Sequence, residues 1–173
     1  MYACHPLNVR SYWTEVQFLQ FSQIFFLSFF LLCGVMLPST LRPQHIPIFT
    51  DGSKLSNHTA AAVVFKSHII TKRLPNSVSI YTAELYAILQ ALNELSKQQH
   101  KHYLLFSDSL SSLNSIGNKK LDHPITLQII LKYHNLFTHS YNIIFCWLPS
   151  HAGITGNEKA DKAAKSALNK PIL

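Results

Sequence analysis

The segment Ile46 to Asp51 reads IPIFTD, and the segment Tyr103 to Asp108 reads YLLFSD. Each is a short apolar run typical of a buried β-strand, and each ends at an aspartate. The Gly-Ser pair that follows Asp51 indicates a turn, so we expect the first strand to end there. Strands connected through a crossover helix run parallel, and functional sites form beyond their carboxyl ends. The two aspartates are therefore predicted to lie together at one edge of a sheet.

Further strand and helix patterns surround these two segments. Strands are predicted over 60–65 and 68–74, completing an antiparallel meander with the first strand, and over 141–148. Helices are predicted over 82–98, with Thr82 as N-cap, and over 109–116, 124–138 and 157–168. The order β-β-β-α-β-α-α-β-α predicts an α/β fold, in which a mixed sheet is flanked by helices.

Composition limits the class of protein. The chain has 173 residues, a net charge of +7 and 47% apolar residues, which excludes a disordered or collagen-like chain. Its three cysteines form no CxxC pair and no zinc-finger spacing, so a reducing compartment, cytoplasmic or nuclear, is expected. Residues 46–173 carry 13 basic and 7 acidic side chains, a net charge of +6, so a polyanionic partner would bind this part.

The N-terminal part differs from the rest of the chain. Residues 16–37 carry no charged side chain and are rich in apolar residues. Only 14 of them, 24–37, form a nearly continuous apolar run, which is short of the roughly 20 apolar residues that a spanning helix needs. The alternatives are a membrane anchor through residues 16–37, a signal peptide, a remnant of a larger ancestral polypeptide, or translated sequence with no selected role. A proline-rich stretch over 38–47 is typical of a linker. We therefore expect an N-terminal segment over 1–45 and a catalytic domain over 46–173.

Two more carboxylates are predicted to reach the edge marked by Asp51 and Asp108. Glu84 precedes apolar residues by 4, 7 and 11 positions in its helix, and Asp161 precedes apolar residues by 3 and 7 positions in the last helix. Both therefore share the inward faces of their helices. Each acid taken alone is explained equally well as a turn former or a helix-terminal residue. Their joint placement favours a site.

Clustered carboxylates repel one another unless cations neutralise them. Oxygen ligands without histidine or cysteine at bonding spacing select hard ions, so Mg²⁺ is expected, with Mn²⁺ as a substitute. Two such ions, roughly 4 Å apart, would activate a water and stabilise the leaving oxygen of a phosphodiester. Basic residues around an acidic metal site fit a nuclease.

Four runs in this sequence resemble the successive motifs of the type 1 ribonuclease H family. They are FTDGS (49–53), TAELYAI (82–88), FSDSLSSL (106–113) and WLPSHAGITGNEKADKAA (147–164). The resemblance covers about residues 46–168 and is strongest to the ribonuclease H domains of non-LTR retrotransposon polyproteins.

The resemblance implies a five-stranded mixed sheet in the order 3-2-1-4-5. It implies that two Mg²⁺ ions are held by the carboxylates of Asp51, Glu84, Asp108 and Asp161. It also implies hydrolysis of the RNA strand of an RNA/DNA hybrid, leaving 3′-hydroxyl and 5′-phosphate ends. His151 matches the family's loop histidine, which assists proton transfer or product release.

Substrate contacts are less well defined by the sequence. The candidate substrate-binding residues are Gly52, Ser53, Ser79, Ser109 and Asn157. The basic residues expected to assist are Lys54, Lys72, Arg73, Lys119 and Lys120. Because no extra basic helix or hybrid-binding domain is recognisable in this sequence, we expect weak intrinsic hybrid affinity that relies on these basic residues or on a reverse transcriptase domain beside this one. We also expect a monomer.

Three other interpretations fit the same sequence. The first is a catalytically silent, retroelement-derived remnant that binds nucleic acid. The second is a membrane protein whose functional part is the phenylalanine-rich segment. The third is another nuclease or a transposase with the same core architecture.

Overall fold

The structure, a computed structural model, describes residues 45–119 and 121–172. Its strands are β1 (Ile46–Leu55), β2 (His58–Val64), β3 (Ile69–Leu74), β4 (His102–Ser107) and β5 (Asn142–Trp147). Its helices are α1 (Ile80–Leu95), α2 (Leu110–Gly117), α3 (Pro124–Thr138) and α4 (Thr155–Ala167). The apolar segment over 16–37 lies outside the described residues. Within the described residues, no helix combines the length and apolar character needed to cross a membrane.

The strands form one mixed sheet in the order β3-β2-β1-β4-β5, which confirms the predicted fold class. β1, β2 and β3 pair antiparallel, whereas β4 pairs parallel with both β1 and β5. The parallel pairing of β1 with β4 runs from Ile46 opposite Tyr103 to Thr50 opposite Ser107. Beyond that last pair, both chains reach the edge at which the site lies.

β1 is longer than the sequence predicted. It continues through Asp51 and Gly52 to Leu55 because this half of the strand pairs antiparallel with β2, placing Asp51 opposite Ala62. The prediction that the strand ends at Asp51 is wrong. Asp51 nevertheless follows the last parallel pair, since β4 itself ends at Ser107. The two aspartates therefore lie close together, as predicted, but the reason is that β4 ends there and not that β1 does.

The two faces of the sheet are packed differently. On one face, α1 and α3 cover β1, β4 and β5 with large apolar side chains, among them the fully buried Leu85, Ile88 and Ile129. On the other face, α4 lies across β1, β2 and β3 through small residues such as Ala160 and Ala164. The small residues let α4 pack close to the strands, which brings its acidic first turns near Asp51.

α1 begins earlier than predicted. Ser79, not Thr82, is the N-cap: its backbone is extended, and its Oγ accepts a hydrogen bond from the Thr82 N–H at 3.1 Å. The serine takes this role because its hydroxyl reaches the third N–H of the helix while its own backbone stays non-helical. As a result Glu84 lies in the second turn of α1, where its side chain is buried, and not at the exposed helix start.

Candidate functional site

Asp51 and Asp108 lie side by side at the end of the parallel strands. Asp51 is buried within β1 at 5% exposure, and Asp108 is half-buried directly after β4. Thr50 helps to fix this junction, since its hydroxyl donates to the carbonyl of Phe106 at 3.1 Å. The sheet register thus sets the separation of the two carboxylates.

Glu84 reaches the same place from α1 because Gly52 has no side chain. A Cβ added to Gly52 would lie 2.8 Å from the backbone nitrogen of Glu84 and 3.1 Å from its Cδ. The helix therefore rests directly on the strand backbone, and the Gly52 N–H hydrogen-bonds the Glu84 carboxylate. Carboxylate oxygens of Asp51, Glu84 and Asp108 all lie within 4.8 Å of one another.

Burial makes this cluster a poor place for negative charge. Desolvation, followed by repulsion from Asp108 and Asp161, raises the pKa of Asp51 from 3.8 to about 8, although Lys165 opposes the shift. Burial, then repulsion from Asp51 and Asp108, raises the pKa of Glu84 well above its ordinary range. Two acids with raised pKa values in one site are the electrostatic pattern that a bound cation would reverse.

Two oxygens of the cluster are available to such a cation. Oδ2 of Asp51 and Oε2 of Glu84 are buried and have no hydrogen-bond partner among the described residues. A buried carboxylate oxygen without a donor is costly unless it is protonated or neutralised by a cation. The donor set consists of oxygens alone and therefore suits a hard divalent ion.

Asp161 approaches from the opposite face of the sheet, on α4. It is half-buried and pairs with Lys165 one helical turn later at 2.9 Å. Its charge contributes to the raised pKa of Asp51, but its carboxylate lies in a group with His151 and Glu158 and not with the trio of Asp51, Glu84 and Asp108. The sequence analysis did not predict this ion pair. The apolar periodicity of α4 indicates which face of the helix is buried, but it does not indicate what Lys165 contacts.

His151 lies in the loop before α4. Its side chain is exposed, and its backbone has a φ of 55°, a left-handed conformation that non-glycine residues rarely adopt. Ligand atoms of His151, Glu158 and Asp161 lie within 4.8 Å of one another. The predicted histidine is therefore next to the predicted fourth carboxylate.

Asp108 is held by residues that the sequence did not reveal as partners. Ser150 Oγ donates to Oδ2 of Asp108 at 2.8 Å, and Trp147 Nε1 donates to its backbone carbonyl at 3.1 Å. Asn157 Nδ2 also donates to Oδ2, at 3.2 Å. Asn157 was already a candidate site residue, whereas Ser150 and Trp147 were not. These two belong to the same sequence run as His151, but no periodicity or spacing marks a single serine or tryptophan as a partner of an aspartate.

The five candidate substrate-binding residues occupy different environments. Gly52 packs against Glu84, and Ser53 is buried in β1 at 8% exposure. Ser79 is exposed but caps α1, and Ser109 is half-buried with its Oγ 2.8 Å from Ser112 Oγ. Asn157 is buried at 3% exposure beside Asp108. Their contacts with substrate stay predictions.

The basic residues expected to assist include one that is not on the surface. Arg73 is 5% exposed and donates to the carbonyls of Thr59 and Leu74 and to Oδ1 of Asn76. The guanidinium thus joins β2, β3 and the following turn, so Arg73 is a structural residue. Lys54 and Lys72 are exposed, whereas Lys120 lies outside the described residues.

Comparison with known proteins gives consistent matches. The family model described as RNase H matches residues 43–169. The chain is 31% identical over 149 residues to Ribonuclease HI of Haemophilus influenzae, covering 76% of this chain and 94% of that protein. It is 30% identical over 124 residues to the Pol polyprotein of Equine infectious anemia virus (isolate 1369), covering 69% of this chain. The matched part is only 10% of that polyprotein.

Proposed function

The chain belongs to the RNase H family of hydrolases, and we propose that it is an endonuclease that hydrolyses the RNA strand of RNA/DNA hybrids. The observation that carries this proposal is the buried carboxylate cluster. Asp51, Glu84 and Asp108 converge within 4.8 Å, and two of their oxygens accept no hydrogen bond from a described residue. A purely structural cluster of this kind would be destabilising, so its presence is best explained by chemistry that needs it.

We propose that the carboxylates of Asp51, Glu84, Asp108 and Asp161 hold two divalent ions, one of them bound by the converging trio of Asp51, Glu84 and Asp108. Mg²⁺ is the proposed cofactor and Mn²⁺ its substitute, because the donors are all oxygens. When bound, the ions supply an activated water and charge stabilisation at the scissile phosphate.

The protein side chains have separate roles in this proposal. Burial and repulsion between neighbouring carboxylates raise the pKa of both Asp51 and Glu84, so the metal-free site favours the protonated form of each acid more than water does, and a bound cation would reverse that preference. His151 is exposed beside Asp161, and its imidazole can accept a proton on one ring nitrogen and donate from the other, so it can carry a proton between the site and solvent. Water adds to phosphorus and the bond to the 3′ oxygen breaks, which leaves 3′-hydroxyl and 5′-phosphate ends.

The proposed partner is an RNA/DNA hybrid. Gly52, Ser53, Ser79, Ser109 and Asn157 are the proposed contacts, of which Ser79 is the most exposed to an incoming strand. A reverse transcriptase domain is a proposed functional neighbour, because relatives of this chain include segments of Pol polyproteins. We propose that the domain itself acts as a monomer.

The test is cleavage of a labelled hybrid by the full chain in Mg²⁺. Wild type should cut the RNA strand, and Asp108→Asn should cut at least about a hundredfold more slowly, since removing a group that stabilises transition-state charge typically has that effect. Asp122→Asn is the matched control, because Asp122 is an exposed aspartate outside the cluster. Equal absence of cleavage in wild type and Asp108→Asn would refute the proposal and favour a silent, nucleic-acid-binding remnant.

A further inference from the structure

One short stretch of chain supplies three hydrogen bonds to Asp108. Trp147 Nε1 donates to the Asp108 carbonyl at 3.1 Å, Ser150 Oγ to Oδ2 at 2.8 Å, and Asn157 Nδ2 to Oδ2 at 3.2 Å. The donors come from the end of β5, the following loop and the first turn of α4. The loop between β5 and α4 is thus hydrogen-bonded to the Asp108 carboxylate near the beginning of the loop, through Ser150, and again in the first turn of α4, through Asn157.

Both side-chain donors end on the same oxygen. Two hydrogen bonds at Oδ2 fix the rotation of the Asp108 carboxylate. One oxygen of this carboxylate lies within 4.8 Å of ligand atoms of Asp51 and Glu84, so the fixed rotation sets how Asp108 faces a cation shared with them. Ligands whose other atoms are hydrogen-bonded are pre-oriented, and such outer partners strongly affect metal affinity. Ser150 gives the shorter of the two bonds.

The same contact controls the loop. His151 directly follows Ser150, and its left-handed backbone, with a φ of 55°, is an unfavourable conformation that surrounding contacts must maintain. Ser150 holds the chain on one side of His151, and Asn157 holds it on the other. Between these two anchors, the His151 imidazole lies beside Glu158 and Asp161.

We propose that Ser150 is a positioning residue with two linked effects. Its hydroxyl orients Asp108 for cation binding, and through the same hydrogen bond it holds His151 beside Glu158 and Asp161. Cation binding and loop docking therefore favour each other, because each stabilises the arrangement that the other uses. This inference rests on the proposed function for the assignment of Asp108 as a cation ligand.

Calorimetric titration of the full chain with Mg²⁺ alone tests the first effect without any substrate. Ser150→Ala should weaken Mg²⁺ binding by about tenfold, the lower end of the range for outer partners, because Ser150 is exposed. Ser150→Thr keeps the hydroxyl and should restore binding close to that of wild type. Ser67→Ala is the matched control, since Ser67 is an exposed serine in the turn between β2 and β3 and contacts His68.

Nuclear magnetic resonance of the His151 imidazole in metal-free protein tests the second effect. The His151→Ala variant identifies the resonances, which should shift in Ser150→Ala and stay in place in Ser67→Ala. Unchanged Mg²⁺ affinity or unchanged His151 resonances in Ser150→Ala would overturn this inference and leave the proposed function standing. A wild-type chain that binds no Mg²⁺ would instead overturn the proposed cation site, and the inference with it.

Discussion

Replacing Asp51 by asparagine should stabilise the metal-free protein. Asp51 is 5% exposed, and burial with nearby carboxylates raises its pKa from 3.8 to about 8. Between these two values the unfolded chain has lost the proton and the folded chain still holds it, so stability falls as pH rises. An asparagine carries no charge to bury, and its amide can donate to the Glu84 and Asp108 carboxylates. The substitution therefore removes the free-energy cost of burying the Asp51 carboxyl group while keeping the size of the side chain.

The magnitude follows from the pH difference. At pH 7 the solution lies roughly 3 units above the ordinary pKa, and each unit is worth about 1.4 kcal/mol, which gives an upper value of about 4 kcal/mol. The full upper value is not expected, because part of the shift comes from repulsion by neighbouring carboxylates. Those of Glu84 and Asp108 can adjust their positions when Asp51 is uncharged. We expect Asp51→Asn to raise the free energy of unfolding by about 2 to 4 kcal/mol at pH 7 without divalent ions.

Urea unfolding followed by circular dichroism in EDTA measures this difference between pH 5 and pH 8.5. The stability advantage of Asp51→Asn should grow over this range, and Asp122→Asn, at an exposed position, should show none. Added Mg²⁺ should narrow the advantage, because a ligand that binds only the folded state stabilises wild type. A wild-type stability that rises from pH 5 to pH 8 in EDTA, or a variant no more stable than wild type, would refute the reasoning.

Three further substitutions test the packing that forms the site. Gly52→Ala places a methyl group 2.8 Å from the Glu84 nitrogen and should cost about 1 to 3 kcal/mol of stability. It should also lower hybrid cleavage by more than Ser53→Ala does, and unaltered melting and cleavage would contradict the close contact. Gly156→Ala drives a methyl group into the Phe49 ring and should lower the melting temperature, and an unchanged melting temperature would contradict this contact. Arg73→Met should lose about 2 kcal/mol or more in urea unfolding through unpaired carbonyls, and a stability equal to that of Lys72→Met would count against a structural role.

The fold was predictable because its signals are local. Apolar runs such as the one before Asp108 mark the buried strands, and the helical period of α1 places Glu84 on the inward face. The prediction that β1 ends at Asp51 was wrong because Gly52 and Ser53 are residue types typical of a turn. Their pairing with β2 depends on a partner strand that no local pattern describes.

The site was predictable as a set of residue types but not as a network. The four carboxylates follow recognisable strand ends and helix faces, whereas the bond from Ser150 to Asp108 joins residues 42 positions apart. The ion pair of Asp161 with Lys165 and the burial of Arg73 likewise depend on how elements pack. Such contacts follow from tertiary geometry, so they appear only once the chain is folded.

The order of elements along the chain has a consequence for synthesis. Asp51, Glu84 and Asp108 precede α2, whereas α4 contributes Asp161 and covers the second face of β1, β2 and β3. A ribosome-bound chain that has not yet released α4 exposes that face of the sheet to solvent and lacks the fourth acid. We therefore expect that the second face of the sheet becomes covered and the set of four acids becomes complete in the same step, when α4 emerges and docks.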